Sequence, residues 1–208
     1  MYYDTKLEAK VAMDENNRKS GEQFESLVFS RLKRCPGHWG LFTNLYIPTG
    51  QSSDYNEVDV LMIHETGIYV IECKDHKGTV EGEAGARLWH TRYKSGKEFP
   101  FYNPIRQNRD HIAILSRLLG VPKSAFRSWI VFGSLADELN VPESTSEYTI
   151  TKFMNFSSKI TRTIENAEQV FSEEEVDELY DTLDNPRYML TEEKRKKHCE
   201  RIRSIWRK

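Results

Sequence analysis

The 208 residues give room for one well-cored domain and an appendage. With 30 Lys and Arg against 32 Asp and Glu, the net charge of −2 excludes a globally basic nucleic-acid binder but leaves room for a local basic groove. Cys35, Cys73 and Cys199 show no CxxC or zinc spacing and read as free thiols in a reducing compartment. The first residues carry charges where a signal peptide needs an apolar core, and no apolar run approaches a membrane span. The expectation is a soluble, cytoplasmic protein with no membrane partner.

In chain order, residues 4–34 have helical patterning. It is strongest from Ser20, where Phe24, Leu27, Val28, Phe29 and Leu32 form an apolar stripe that Cys35-Pro36-Gly37 ends. A short strand over 41–47 and a polar loop over 48–56 follow. Strands over 57–64 and 67–74, joined by the tight turn at His64 to Gly67, read as a hairpin. Ser95-Gly96 marks a second hairpin, 86–93 with 97–101, whose core Trp89 fills. Asn103 and Pro104 open a helix as N-cap and first residue, with Ile105, Ile112, Leu115, Leu118 and Leu119 on its buried face as far as Gly120. Trp129 to Phe132 reads as a short buried strand. Helix, three strands, helix, strand is the order of an α/β core, a mixed sheet flanked by helices.

Beyond residue 150 the patterning is helical. Residues 165–184 hold many acids and no Lys or Arg, whereas 194–208 are strongly basic. The basic stretch reads either as an electrostatic footprint for DNA or as the partner of the acidic helix. Between two chains, that pairing would make the C-terminal helices a homodimer surface.

The chemistry concentrates in the first hairpin. Asp59 lies in the apolar run Val58 to Ile63, and Glu72 and Lys74 end the run Ile68 to Ile71. Residues 72 and 74 leave a strand from the same face. Charges near a sheet core are costly, and a divalent cation with carboxylate ligands would give a reason for them. The plainer reading is a surface ion pair between Glu72 and Lys74 with Asp59 exposed nearby. Gln107 and His111 share one helix face at i and i+4, and His111 is left out of catalysis. His64 and His76 flank the strand ends, within reach of a phosphate or with no specific role.

Taken together, Gly21-Glu22 opening the first helix, Glu57-Val58-Asp59, Gly67 to Lys74, Gly78, Trp89 and Asn103-Pro104-Ile105-Arg106-Gln107 resemble the PD-(D/E)XK nuclease superfamily. More narrowly, they resemble the nuclease-related domain, NERD. The resemblance covers roughly 18–133. It implies a restriction-endonuclease-like αβββαβ core. The stretches outside the match inherit nothing from it, so the chain divides into an N-terminal helical extension (1–17), a nuclease-like domain (18–150) and a helical C-terminal extension (151–208). The resemblance also implies a Mg²⁺-dependent nuclease acting on DNA, with Mn²⁺ as a substitute and RNA left open as substrate. Asp59 and Glu72 would be the metal ligands, aided by the Cys73 carbonyl. Lys74 would orient or deprotonate the attacking water, with a depressed pKa beside the metal. Glu22 would reach the metal directly or through water, and Gln107 would position water or substrate. The alternative is a nucleic-acid-binding or protein-interaction module that keeps the fold without turnover.

Overall fold

The computed structural model of the chain describes residues 19–49, 54–194, 196 and 197. The helical expectation for residues 4–18 and the basic stretch beyond 197 lie outside them. Helix α1 covers 19–32, and three antiparallel-paired strands follow: β1 (Trp39–Pro48), β2 (Tyr55–His64) and β3 (Gly67–Lys74). The β2–β3 turn is tight because Gly67 takes φ 133°, where a Cβ would lie 2.6 Å from the Ala125 carbonyl oxygen. A second group comprises β4 (Gly78–Glu81), β5 (Leu88–Arg92) and β6 (Glu98–Tyr102), with β5 and β6 forming the expected hairpin around buried Trp89. Helix α2 (Pro104–Leu119) leads through a short 3₁₀ turn to β7 (Phe126–Phe132). Then come β8 (Ala136–Asn140), β9 (Tyr148–Lys152), α3 (Phe153–Glu165) and α4 (Glu173–Leu183).

The main sheet has the order β1-β2-β3-β7-β9, antiparallel from β1 to β3 and parallel from β3 to β9. A smaller sheet, β6-β5-β4-β8, is also mixed. The α/β class and mixed sheet follow the sequence reading, but β4, β8, β9 and the joining of the expected hairpin to β4 and β8 in a second sheet add to it. Residue 150 lies inside β9, which pairs with β7 along Ser128 to Phe132.

One apolar cluster packs α2 and α4 against the main sheet through Leu115, Val176 and Leu183. The other packs α1 and α3 on the opposite side through Phe24, Val28, Leu32, Phe156, Ile160 and Ile164. α4 thus uses its apolar side on the sheet of its own chain, with Phe42 and Tyr180 stacked 4.5 Å apart. Its start is fixed by a capping box between Ser172 and Glu175.

Strand alternation breaks at one level of the main sheet. Phe42 sides with α2, and so do Leu45 and Ile47, although an odd spacing should put them on the opposite face. In β2, Leu61 and Ile63 side with α2 and Val60 with α1, yet Val58 returns to the α2 side. The two strands change face at Asn44 and Asp59, which lie opposite each other between the pairs Thr43↔Val60 and Leu45↔Val58. Asn44 has φ 51°, a left-handed conformation that asparagine tolerates better than most residues. The turnover of the two strands directs Glu57 and Asp59 toward α1.

Candidate active site

The β2–β3 ladder ends at Val60↔Ile71. Past that pair the strands part, and the Cys73 N–H donates to Asp59 Oδ2 at 2.7 Å instead of to a strand carbonyl. This bond holds the Asp59 carboxylate against the end of β3. Glu72 follows Ile68 and Val70 in parity and faces α2. It is fully buried, with Lys74 donating to its Oε1. Lys74 Nζ also donates to Gln107 Oε1 at 3.3 Å.

Helix α2 presents Gln107 because both its start and its middle are pinned. Asn103 accepts from the Ile105 N–H, and its amide donates to the Glu83, Ala84 and Ala86 carbonyls. One residue beyond Gln107, the buried Asn108 amide donates to the Val70 and Trp129 carbonyls at 2.9 and 3.0 Å, tying α2 to β3 and β7. His111, one turn on, places Nδ1 3.8 Å from Glu72 Oε2 and is itself 2% exposed. Spacing alone left it out of the site, but burial brings it onto the carboxylate.

On α1, Glu25 lies nearer the cluster than the expected Glu22. Glu22 is exposed, whereas Glu25 is half-buried and close enough to Asp59, Glu57 and Glu72 for their charges to act on it. Helical phase explains the difference. At 100° per residue, the stripe of Phe24, Val28 and Leu32 is centred roughly 60° from Glu25 but about 120° from Glu22. That phase was readable in the sequence, and the Gly21-Glu22 pair drew the assignment three residues early. With the Asn44 amide nitrogen turned to the acids, it donates to Glu25 Oε2 at 3.0 Å and to Glu57 Oε1 at 3.1 Å.

Burial dominates the electrostatics. It pushes Glu25 up to about 9, helped by the charges of Asp59, Glu57 and Glu72 and partly offset by Lys74. Burial and the Asp59 charge push Glu72 up to about 8 against the pull of Lys74. Asp59 is raised by burial, with Lys74 and the Cys73 N–H opposing. Burial pulls Lys74 down, but Glu72 and Asp59 together hold its ammonium above the ordinary value. The two acid neighbours thus act on Lys74 in the opposite direction to the one a bound cation would.

Two flanking contacts brace the end of β3. Ser20 Oγ donates to Asp75 Oδ2 at 2.6 Å, linking α1 to the strand end. Gly133 follows β7 where a Cβ would lie 2.2 Å from Asp75 Oδ1. His76 stacks on Phe101 at 4.1 Å, and its Nδ1 meets Thr91 Oγ1 at 3.0 Å. Burial, with help from Lys74, lowers it to about 4, so it joins the two sheets as a neutral ring. His64 lies at the far end of β2, away from this cluster.

Among the described residues, no three acid, His or Cys side chains already converge at metal-ligand spacing. The residues nevertheless fit a hard cation. Glu72 Oε2 is buried without a hydrogen-bond partner, and the charge of Lys74 only partly offsets the burial of the acids around it. Two carboxylates with space for water suit Mg²⁺, which keeps several waters and demands few protein oxygens.

The nuclease-related domain family matches residues 20–133, more than half of the chain. The chain belongs to that family. The NERD match takes in α1 through β7, the elements that deliver Glu25, Asp59, Glu72, Lys74 and Gln107. An uncharacterised protein of Bacillus anthracis is 31% identical over 101 residues, 49% of this chain and 46% of that protein's length. Among solved structures, Can2 from Sulfobacillus thermosulfidooxidans in complex with cyclic tetra-adenylate is 20% identical with a TM-score of 0.37. That match covers 71% of this chain and 35% of Can2. A crystal structure of a protein of unknown function, AF1548, is 13% identical with a TM-score of 0.30, covering 91% and 98% of the two chains. Among the described residues of this NERD protein, no helix is long and apolar enough to cross a membrane.

Proposed function

We propose that this NERD protein is a Mg²⁺- or Mn²⁺-dependent nuclease that hydrolyses phosphodiester bonds in DNA. The observation that carries the reading is the buried Glu72 carboxylate, bonded on one oxygen to Lys74 and without a hydrogen-bond partner on the other, beside an Asp59 fixed by the Cys73 N–H. Asp59, Glu72 and the Cys73 carbonyl would hold the cation, with Glu25 reaching it directly or through water. The cation would supply a lowered pKa for a water and charge neutralisation on the phosphate.

The chain's own groups account for the rest. Lys74, kept charged by its two acid neighbours, serves as a fixed positive charge for the developing charge on phosphorus oxygens. Gln107 holds Lys74 on one side and offers its amide to water or substrate. His111 backs Glu72 from a dry side, which restricts how far that carboxylate swings. Asn108 fixes the distance between α2 and the strand end, and with it the approach of Gln107.

The test is a panel of linear, circular and single-stranded DNA with and without Mg²⁺ and Mn²⁺, run on wild type and on Asp59→Ala and Lys74→Ala. Metal-dependent cleavage that disappears in both variants, assayed below the melting temperature of each, is expected. Cleavage surviving both changes sinks the assignment. Mn²⁺ binding without cleavage of any DNA would instead favour a module that keeps the fold without turnover.

A further inference from the structure

Asn44 meets the acid cluster from a strand that supplies none of the groups named above as cation ligands. Three independent observations converge on it. It is the only non-glycine residue with positive φ among the described residues. It sits opposite Asp59, where β1 and β2 both change face. With the amide turned so that nitrogen and not oxygen faces the acids, it donates to one oxygen of Glu25 and one of Glu57.

Two carboxylates at this separation repel each other unless a donor stands between them. A primary amide has two N–H groups and so can serve both acids at once. Neither an alanine nor a hydroxyl does the same. Without the bridge, Glu25 lies at the half-buried end of a helix side chain with no fixed rotamer and every charge reason to swing toward solvent. With it, Glu25 is tied to Glu57, which the strand holds two residues from Asp59.

We propose that Asn44 is a positioning residue of the cation site, its amide tying Glu25 to Glu57 so that Glu25 stays beside Asp59 and Glu72. The inference rests on the cation site proposed above. The left-handed backbone has a second consequence, the turnover of both strands, and the two roles are separable. Glycine adopts φ 51° without steric cost, so Asn44→Gly keeps the turnover and deletes only the amide.

The experiment is a calorimetric Mn²⁺ titration of wild type, Asn44→Gly, Glu25→Gln and the double variant, with thermal melting in chelator alongside. Asn44→Gly should melt near the wild-type temperature and bind Mn²⁺ about 10-fold more weakly, as changes in groups supporting metal ligands do. Glu25→Gln should weaken binding by a similar factor. The double variant should bind no more weakly than Glu25→Gln alone, because the amide acts only through Glu25. Additive losses overturn the proposal, since a general distortion of the sheet would act in both backgrounds. Unchanged Mn²⁺ affinity in Asn44→Gly overturns it while leaving the nuclease reading intact. Wild-type protein that binds no Mn²⁺ overturns both.

Discussion

The hairpin of β2 and β3 has a buried polar cluster at each end, and the two are built on opposite principles. At the turn, Thr66 N–H donates to His64 Nδ1 at 3.0 Å, so the proton sits on Nε2, which donates to the Pro36 carbonyl at 2.8 Å. Thr66 Oγ1 meets Tyr69 OH at 2.6 Å. That cluster is closed by its own hydrogen bonds. At the other end Glu25, Glu57, Asp59, Glu72 and Lys74 are crowded, several carboxylates are pushed above their ordinary range, and Glu72 Oε2 has no hydrogen-bond partner. A polar group kept for architecture is satisfied by its neighbours. One kept for chemistry is left incomplete until something binds.

The largest expected effect tests that contrast at its charged end. Lys74→Ala should lower the cleavage rate about 10²–10³-fold or more, the scale seen when a preorganised electrostatic partner is lost. Its melting temperature in chelator should fall, because Asp59 and Glu72 lose the ammonium that offsets their burial, so cleavage is compared well below the melting range. A comparable loss of cleavage after a substitution at the turn end would erase the distinction between the two clusters.

Next in size is the assignment of the helical acid. Glu25→Gln should weaken Mn²⁺ binding about 10-fold, whereas Glu22→Gln should leave it within about twofold. The reverse ranking would restore Glu22 to the site. This pair also marks where the sequence was legible and where it was not. The β2–β3 hairpin and the Asn103-Pro104 start of α2 were readable from local turn and cap chemistry, whereas the grouping of Asp59, Glu72, Lys74 and Gln107 came from the resemblance to the nuclease-related domain. Glu25 was readable too, through the phase of Phe24, Val28 and Leu32, but a short motif outweighed the phase.

Other features had no local signal. β8, Ala-Asp-Glu-Leu-Asn, is mostly exposed and charged, and its pairing with β4 depends on a partner more than fifty residues away. β9 is five residues long and joins β7 in parallel across a loop. α3 and α4 read as amphipathic helices, but which sheet face each would cover is a tertiary fact. The change of face at Asn44 and Asp59 is visible only when cluster membership breaks the alternation that sequence reading assumes.

A smaller effect concerns pH. The folded, cation-free protein holds Glu25 near 9 and Glu72 near 8, both above their ordinary value of 4.5. Between those limits the folded state binds more protons than the unfolded chain, so stability is fullest below about 4.5 and falls as pH rises toward 9. Melting in chelator should therefore decline from pH 5 to 9. With excess Mn²⁺ the decline should flatten, since the cation compensates the carboxylates. Affinity for Mn²⁺ should rise with pH over 6–8, up to about tenfold per unit for each proton released. Melting that rises with pH in chelator would show that the acids are not held neutral.

The smallest effect belongs to the turn. His64→Ala strands the buried Thr66 N–H and removes the donor to the carbonyl of Pro36, an exposed residue. Leaving a buried partner unsatisfied costs about 1–3 kcal/mol, which in a chain of this size lowers the melting temperature by roughly 3–10 °C. Cleavage and Mn²⁺ affinity should stay within about twofold, because the ring lies at the far end of β2 from Asp59. His64→Gln restores an acceptor and a donor on a side chain of similar reach and should recover part of the lost stability. If His64→Ala instead lowered cleavage without changing melting, the closed cluster would have to be coupled to the open one through the length of the hairpin. The contrast between an architectural end and a chemical end would then give way to a single network.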